Sequence, residues 1–179
     1  MLLAYIFLLL AIAFRFAPHP MAFTPIAASL LFFGARVRRK HFWVPLLLLG
    51  LADLALTRLV YSYPYMADQF ISLAWYAAAL WIGTKLTQNA RPGRVFAAAL
   101  AASVSFFIVS NFGVWAVYPN MYPRNLGGLA AAYIAGLPFF RNDVAANLVF
   151  SALFFATPLV WRALSGSPDE PGTDRIAAS

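Results

Sequence analysis

The chain has 179 residues, of which 63% are hydrophobic and only 11% are charged, and its mean hydropathy is +0.74. Soluble domains carry about a quarter of their residues as charged side chains, so this composition excludes a soluble globular protein and predicts an integral membrane protein. The chain contains no cysteine, which excludes disulfides, thiolate metal sites and cysteine nucleophiles. The formal net charge of +7 does not indicate a nucleic-acid partner, because the arginines and lysines cluster in short loops, where they orient a membrane protein.

Six apolar segments are candidates for membrane-spanning helices, each of which needs about 20 residues, although somewhat shorter spans occur. The first segment lacks the basic n-region of a signal peptide, and Arg15 interrupts the position of a cleavage site, so we expect an uncleaved helix. The sequence therefore predicts an all-α integral membrane protein with six transmembrane helices. In chain order the segments are Leu2 to Ala17, Met21 to Ala35, Phe42 to Tyr61, Gln69 to Leu86, Arg94 to Tyr118 and Asp143 to Leu164.

A shorter apolar stretch lies between the fifth and sixth segments. Its middle, Leu129 to Ala135, is too short to span a bilayer and is followed by Gly136-Leu-Pro138, so it predicts a short re-entrant or interfacial helix. Asn142 is then a candidate N-cap for the sixth helix, and Asp143 suits the positive end of that helix.

The basic residues predict how the helices are oriented. With six spans and both termini inside, the basic residues concentrate in the cytoplasmic segments, as the positive-inside rule requires. The inner set is Arg36, Arg38, Arg39, Lys40, Lys85, Arg91, Arg94, Arg162 and Arg175, and the outer set is Arg15, Arg58, Arg124 and Arg141. The tail is rich in Ser, Pro, Gly and acidic residues, so we expect a six-helix membrane domain over residues 1–164 and a disordered cytoplasmic tail over residues 165–179.

Polar side chains interrupt the fifth helix and lead into an aromatic loop. Ser103 and Ser110 accompany Asn111 in a run of Ala, Val, Ile and Phe. Lipid offers an amide no hydrogen-bond partner, so this face should point into the protein or into a cavity. A small-molecule site is one interpretation, and a helix contact with an aromatic interface belt is the other. The candidate ligand-binding residues here are Asn111, Trp115 and Tyr118, spaced i, i+4, i+7 on one face, followed by Tyr122 and Arg124.

The sixth segment carries a second polar face. Asp143, Asn147 and Ser151 are spaced i, i+4, i+8, so they share one side of the helix. The fifth helix runs outward and the sixth runs inward, so we expect Asn111 and Asn147 at matching depth, where two amides form one outward-facing pocket. The alternative is a simple amide pair between helices, although such bonds contribute only about 0.6 kcal/mol on average.

Phe139, Phe140 and Arg141 precede this segment and are further candidate ligand-binding residues. Their rings stack on a flat ligand and the guanidinium pairs with an acidic group, if the stretch closes over the site. The alternative is that all three anchor the helix at the membrane interface.

Asp53 is the only acid well inside a predicted span, and a carboxylate in lipid is costly, so it is a candidate ligand-binding residue as well. The alternative is a structural carboxyl that joins two helices. Asn111 and Asn147 are then its best candidate partners.

Enzyme signatures are missing from the sequence. It has no H-E-x-x-H, G-x-S-x-G or Walker A motif, and its two histidines, His19 and His41, fall on opposite sides of the membrane. We therefore expect no catalytic residues, no metal and no cofactor. Without a Walker A motif the chain cannot hydrolyse ATP itself.

Several stretches resemble a bacterial family assigned only in general terms to transport. They are Pro18-His-Pro-Met-Ala-Phe-Thr-Pro25-Ile-Ala, Asn111-Phe-Gly-Val-Trp115, Met121-Tyr-Pro123 and Gly136-Leu-Pro-Phe-Phe-Arg-Asn142. That family is in turn similar to the substrate-binding S components of energy-coupling factor (ECF) vitamin transporters. The resemblance covers residues 1 to 165, roughly the predicted membrane domain.

The resemblance implies an S-component-like bundle of six helices in a bacterial inner membrane, with both termini cytoplasmic and a vitamin or metal bound near the outer face. It also implies docking on a coupling membrane subunit with ATPases through small residues of the first helix. Ala13-x-x-x-Ala17 matches that small-residue pattern, near the outer end of the helix. The His-rich N-terminal metal site of nickel and cobalt S components is absent from this chain.

The leading hypothesis is therefore a membrane substrate-binding subunit, or a solitary importer, for a small organic nutrient such as a vitamin or heteroaromatic compound. Its partners are then the solute, the lipid bilayer and, in the first case, the ECF coupling module. The second hypothesis is a structural six-helix scaffold subunit without a ligand, and a membrane enzyme is the third.

Overall fold

The structure is a computed structural model that describes residues 1–18, 21–60, 68–86 and 90–165, and within these ranges every regular element is a helix. The predicted all-α class is therefore confirmed. A 3₁₀ turn, Arg39–His41, precedes the third α-helix, and a π-helical segment, Leu56–Val60, continues it. The α-helices are α1 (Leu2–Phe16), α2 (Ile26–Arg36), α3 (Trp43–Ala55), α4 (Asp68–Gly83), α5 (Pro92–Val117) and α6 (Leu126–Ser165).

Three of these helical stretches are long and apolar enough to cross a membrane, which supports the membrane character that the composition predicts. They are Arg39–Val60, Pro92–Val117 and Leu126–Trp161. The shorter apolar helices Leu2–Phe16, Ile26–Arg36 and Gln69–Gly83 overlap the other predicted spans. Residues 61–67, between the third and fourth predicted segments, and the tail beyond residue 165 lie outside the described residues, as does His19.

The short helix α2 lies at the centre of the bundle. Every residue from Ile26 to Gly34 is buried, and the helix contacts α1, α4, α5 and α6. A helix that is apolar on all sides is stable only when neighbours surround it. Aromatic rings fill one side of it, where Phe7 of α1 contacts Phe32 with ring centroids 5.0 Å apart and stacks on Phe154 of α6 at 4.1 Å.

The crossing of α2 with α4 depends on two glycines. A methyl group added at Gly34 would overlap the Leu80 carbonyl oxygen, and one added at Gly83 would meet the Leu31 carbonyl oxygen. The two backbones therefore touch where side chains usually separate helices, a close approach typical of small residues in membrane helices. This contact was not predicted from the sequence.

The predicted separate helix between the fifth and sixth segments is wrong. The chain is helical without interruption from Leu126 through Pro138 to Ser165. Its N-cap is Asn125, whose Oδ1 accepts a hydrogen bond from the Gly128 backbone N–H at 2.8 Å. The predicted cap, Asn142, instead donates from Nδ2 to the Met21 carbonyl at 2.9 Å.

The physical reason is that one proline removes little from a packed membrane helix. Pro138 withdraws the single hydrogen bond that its N–H would donate, while the turns on either side keep theirs and remain packed on α5. With 40 residues, α6 is about 60 Å long, twice the thickness of the hydrocarbon core, which is about 30 Å.

Candidate functional site

A cavity of about 340 Å³ lies between α5 and α6. The residues of α5 that line it follow the helical period along one face and are Ser103, Phe106, Phe107, Ser110, Asn111 and Val114. The residues of α6 that line it are Ala132, Ala135, Gly136, Phe139, Phe140 and Asp143, and Ala22 and Tyr122 complete the wall. Small residues on α6 opposite large rings on both helices leave this space open.

The two helices are antiparallel, and this fixes which residues meet across the cavity. Asn111 faces Gly136, and Phe107 contacts Phe140 with ring centroids 4.7 Å apart. Val114 and Ala132 therefore lie at the end near the α5–α6 loop, and Ser103 and Asp143 lie at the opposite end. The lined part of α5 spans about 16 Å along its axis.

A buried polar network forms the deep end of the cavity. Asn147 Nδ2 donates to Ser103 Oγ at 2.6 Å and to Asp143 Oδ2 at 3.2 Å. The Ser103 hydroxyl also hydrogen-bonds Asp143, which is only 8% exposed. Asn147 Oδ1 and Ser151 Oγ are buried without a partner among the described residues. Unpaired polar atoms are costly in a dry interior, so a network with two of them is unusual in a purely structural contact.

The expected pairing of two amides at one depth is wrong. Asn111 lines the cavity, but Asn147 is fully buried behind Ser103 and Asp143 and does not line it. The prediction assumed that the sixth helix starts at Asp143. Because α6 starts at Leu126, Asn147 lies about 30 Å along it rather than one turn from its end.

Asn111 has two contacts of its own. Its Nδ2 donates to the Phe107 carbonyl at 2.8 Å, and its amide occupies the space that a side chain at Gly136 would need. It therefore contributes both to the cavity wall and to the close approach of α5 and α6.

Aromatic rings form most of the remaining wall. Phe107 contacts Tyr133 at 5.4 Å as well as Phe140, and the Tyr133 hydroxyl donates to the Ile108 carbonyl at 2.8 Å. Phe106 packs on Trp75 of α4 with ring centroids 4.6 Å apart, and the Trp75 indole N–H donates to Ser105 Oγ at 3.1 Å. These contacts fix the positions of the rings on the side away from the cavity.

Some predicted site residues lie outside the cavity. Trp115 Nε1 donates to the Pro123 carbonyl at 3.0 Å, and Arg124 donates from Nη2 to the Ala116 carbonyl at 2.6 Å, so both tie the α5–α6 loop to the end of α5. Tyr118 is half-buried at the end of α5 and does not line the cavity, and Arg141 is exposed. Four residues on α5 advance 400°, so Trp115 is rotated about 40° away from the face that Asn111 presents.

Asp53 belongs to a separate buried cluster. It forms an ion pair with Arg15 of α1 and accepts a hydrogen bond from the Tyr76 hydroxyl of α4 at 3.0 Å. The expected partners Asn111 and Asn147 were wrong, because α3 packs against α1 and α4 rather than along α5 and α6. Asp53 does not line the cavity between α5 and α6.

A second cavity, of about 490 Å³, lies beside the first. Arg15 lines it at the end of α1, and Ala22 and Phe139 line both cavities. Ala22 has a φ of 63°, a left-handed conformation that costs a non-glycine residue about 1–2 kcal/mol. The backbone between the two cavities is therefore strained.

Sequence reasoning placed Asp143 at a helix end and on a polar face with Asn147 and Ser151, but it did not name Asp143 as a candidate ligand-binding residue. The signal that was available is the polar series Ser103, Ser110 and Asn111 on α5, since the cavity follows that face. The two small residues proposed for docking, Ala13 and Ala17, are both exposed, and their role remains a prediction.

The model of a family described as a family of unknown function, DUF6580, matches residues 1–166. No curated protein and no solved structure matches the chain.

Proposed function

The chain belongs to the family of unknown function DUF6580, and from that premise we propose that it is a membrane solute-binding protein for the uptake of a small organic nutrient. It acts either as the substrate-binding subunit of an ECF-type importer or as a solitary importer. The observation that carries this proposal is the cavity of about 340 Å³ between α5 and α6.

The size and chemistry of the cavity support a small-molecule ligand. Ligand sites in proteins have volumes of about 300–1,000 Å³ and combine apolar walls with a few converging polar groups. Here rings and small apolar residues form the wall, and Ser103, Asn111, Tyr122 and Asp143 supply polar atoms. A vitamin-sized or heteroaromatic compound fits such a wall because flat rings stack well on phenyl groups.

The proposed topology directs this site to the outer face. Six spans with both termini cytoplasmic place the α5–α6 loop outside a bacterial inner membrane, and the excess of inner basic residues supports that orientation. Ala132 and Val114 then lie near the entrance, which suits uptake from outside. The sequence motifs resemble a bacterial family that is itself similar to S components, and this resemblance is consistent with the proposed arrangement.

A scaffold without a ligand is the second candidate, and one observation favours it. Asn111 is hydrogen-bonded to its own helix and fills the space above Gly136, so this polar residue is already satisfied by helix packing. On this alternative the cavity is a packing defect, and nothing binds there.

The test is to look for a co-purified molecule and to block the cavity. Ala135 lines the cavity and Ala131 is an exposed residue one turn earlier on α6 that does not, so Ala135→Phe and Ala131→Phe form a matched pair. We expect a small molecule, detected by mass spectrometry of the solubilised protein, with wild type and Ala131→Phe, and its loss with Ala135→Phe. Equal retention in both variants, or no molecule in any sample, contradicts the proposal.

A further inference from the structure

The cavity between α5 and α6 is lined by a potential negative charge but by no positive one. Among the described residues that line it, Asp143 is the one ionisable acid, and no lysine, arginine or histidine lines it. We propose that the site selects an organic cation, a protonated amine carried on a flat apolar body, and that Asp143 is the group that binds the amine. This inference rests on the proposed function and names the class of its ligand.

The partners of Asp143 leave its charge unmatched. Its hydrogen-bond donors, Ser103 and Asn147, are both neutral. Asp53, which is also buried, shows the usual solution, because it forms an ion pair with Arg15. A carboxylate buried without a counter-charge is costly in a membrane protein, and a cationic ligand supplies the charge that the described lining residues do not.

The same hydrogen bonds orient the carboxylate toward a ligand. Asn147, which is fully buried and does not line the cavity, holds the carboxylate from behind through Nδ2, and Ser103 hydrogen-bonds it from within the cavity wall. A carboxylate has about four acceptor positions, so acceptors remain for an ammonium group on the cavity side. Charge-assisted hydrogen bonds of this kind are shorter and stronger than neutral ones.

The walls suit the rest of such a molecule. Ring faces carry negative potential and attract ammonium groups within about 6 Å, and they also stack on flat ligands. Phe107 and Phe140, in contact at 4.7 Å, line the cavity together with Phe106 and Phe139. The amine is therefore placed at the Asp143 end, and the flat body lies along the rings toward the loop.

An anionic ligand is disfavoured by the same geometry. The sequence suggested that Arg141 pairs with an acidic group, but Arg141 is exposed and does not line the cavity. A carboxylate ligand would meet Asp143 without a compensating positive charge, and repulsive placement of this kind is a common source of specificity.

The test uses three probes that share an indole ring and end in a positive, a neutral or a negative group: tryptamine, indole-3-ethanol and indole-3-acetate. Binding to the full-length solubilised protein is measured by titration calorimetry, with Asp143→Asn as the test variant and Arg141→Gln as the control that removes an exposed charge outside the cavity. We expect wild type and Arg141→Gln to bind tryptamine at least tenfold more tightly than the neutral and anionic probes. In Asp143→Asn this preference should fall below about threefold, while binding of the neutral probe stays within about threefold of wild type.

Several results overturn the inference. Binding of indole-3-ethanol or indole-3-acetate as tight as that of tryptamine removes amine selection but leaves solute binding intact. A tryptamine preference that survives in Asp143→Asn shows that another group binds the amine. Stabilisation of the protein by sodium alone, if it requires Asp143, shows that the carboxylate binds a metal ion instead. If no probe binds, the charge of the co-purified molecule tests the inference. A co-purified cation that is lost in Asp143→Asn supports it, and a neutral or anionic molecule overturns it. If no molecule co-purifies, the proposed function is overturned as well.

Discussion

Replacing glycine by alanine should have opposite effects at different positions in this bundle. Alanine is the better helix former, so the substitution at an unobstructed helical position stabilises by about 0.5–1 kcal/mol. Gly50 of α3 is such a position, because an added methyl would meet only the Leu73 Cδ1 atom at 3.7 Å, an ordinary contact. Gly34 and Gly83 are different, because at each of them the methyl would strike the backbone of the neighbouring helix.

The magnitude follows from what must move. A carbonyl oxygen cannot rotate away as the end of a side chain can, so α2 and α4 must separate by about 1 Å, which forfeits on the order of a quarter to a half of the dispersion energy at each contact. Overpacking of this kind costs about 1–3 kcal/mol, and more where backbone shifts. After the propensity gain is subtracted, we expect Gly34→Ala and Gly83→Ala to destabilise by about 1–2 kcal/mol, and Gly50→Ala to stabilise by up to about 1 kcal/mol.

The assay is reversible unfolding of the purified protein in mixed micelles, followed by tryptophan fluorescence as the fraction of denaturing detergent rises. Gly50→Ala is the matched control, since it makes the same chemical change in another apolar helix. The reasoning is refuted if Gly83→Ala is as stable as wild type, or if all three variants shift in the same direction by the same amount.

Two further predictions concern topology and the buried ion pair. Reporter fusions after Lys40 and Arg91 should give cytoplasmic signals, and a fusion after Arg124 should give an outer signal, because basic loops stay inside. An outer signal at Arg91 contradicts the model of six spans. Asp53→Ala should lower the free energy of unfolding by up to about 3 kcal/mol, because it leaves Arg15, whose side chain is only 20% exposed, without its counter-charge. The affinity for any cavity ligand should change little at temperatures where this variant stays folded. A loss of binding without a loss of stability would instead show that Asp53 contributes to the ligand site.

The sequence alone determined the class of this protein and part of its site. Hydropathy and helical period are local properties, so they predicted helices that the structure confirms, with boundaries mostly within a few residues. The same local reasoning applied to Asn111, since an amide in an apolar helix must face away from lipid. The structure places Asn111 in the cavity wall together with Tyr122, Phe139 and Phe140.

The course of α6 was decided by tertiary packing. Gly136-Leu-Pro138 is a strong local signal for a helix end, yet the helix continues through it because α5 packs along the flanking turns. Because α6 starts earlier than predicted, Asn147 lies in the middle of a helix rather than at its outer end. The polar face that contains Asn147 therefore lies at a different depth from the one predicted.

The partners of the buried polar groups were also decided only by the tertiary structure. The sequence showed that Asp53 needs a partner, but Arg15 is 38 residues away and was counted as an outer loop charge. It also showed Asp143 on a polar face of the sixth segment, but not that the carboxylate lines a cavity together with Ser103. The polarity of a side chain determines that it must be satisfied, whereas the packing of helices distant in sequence determines which group, or which ligand, satisfies it.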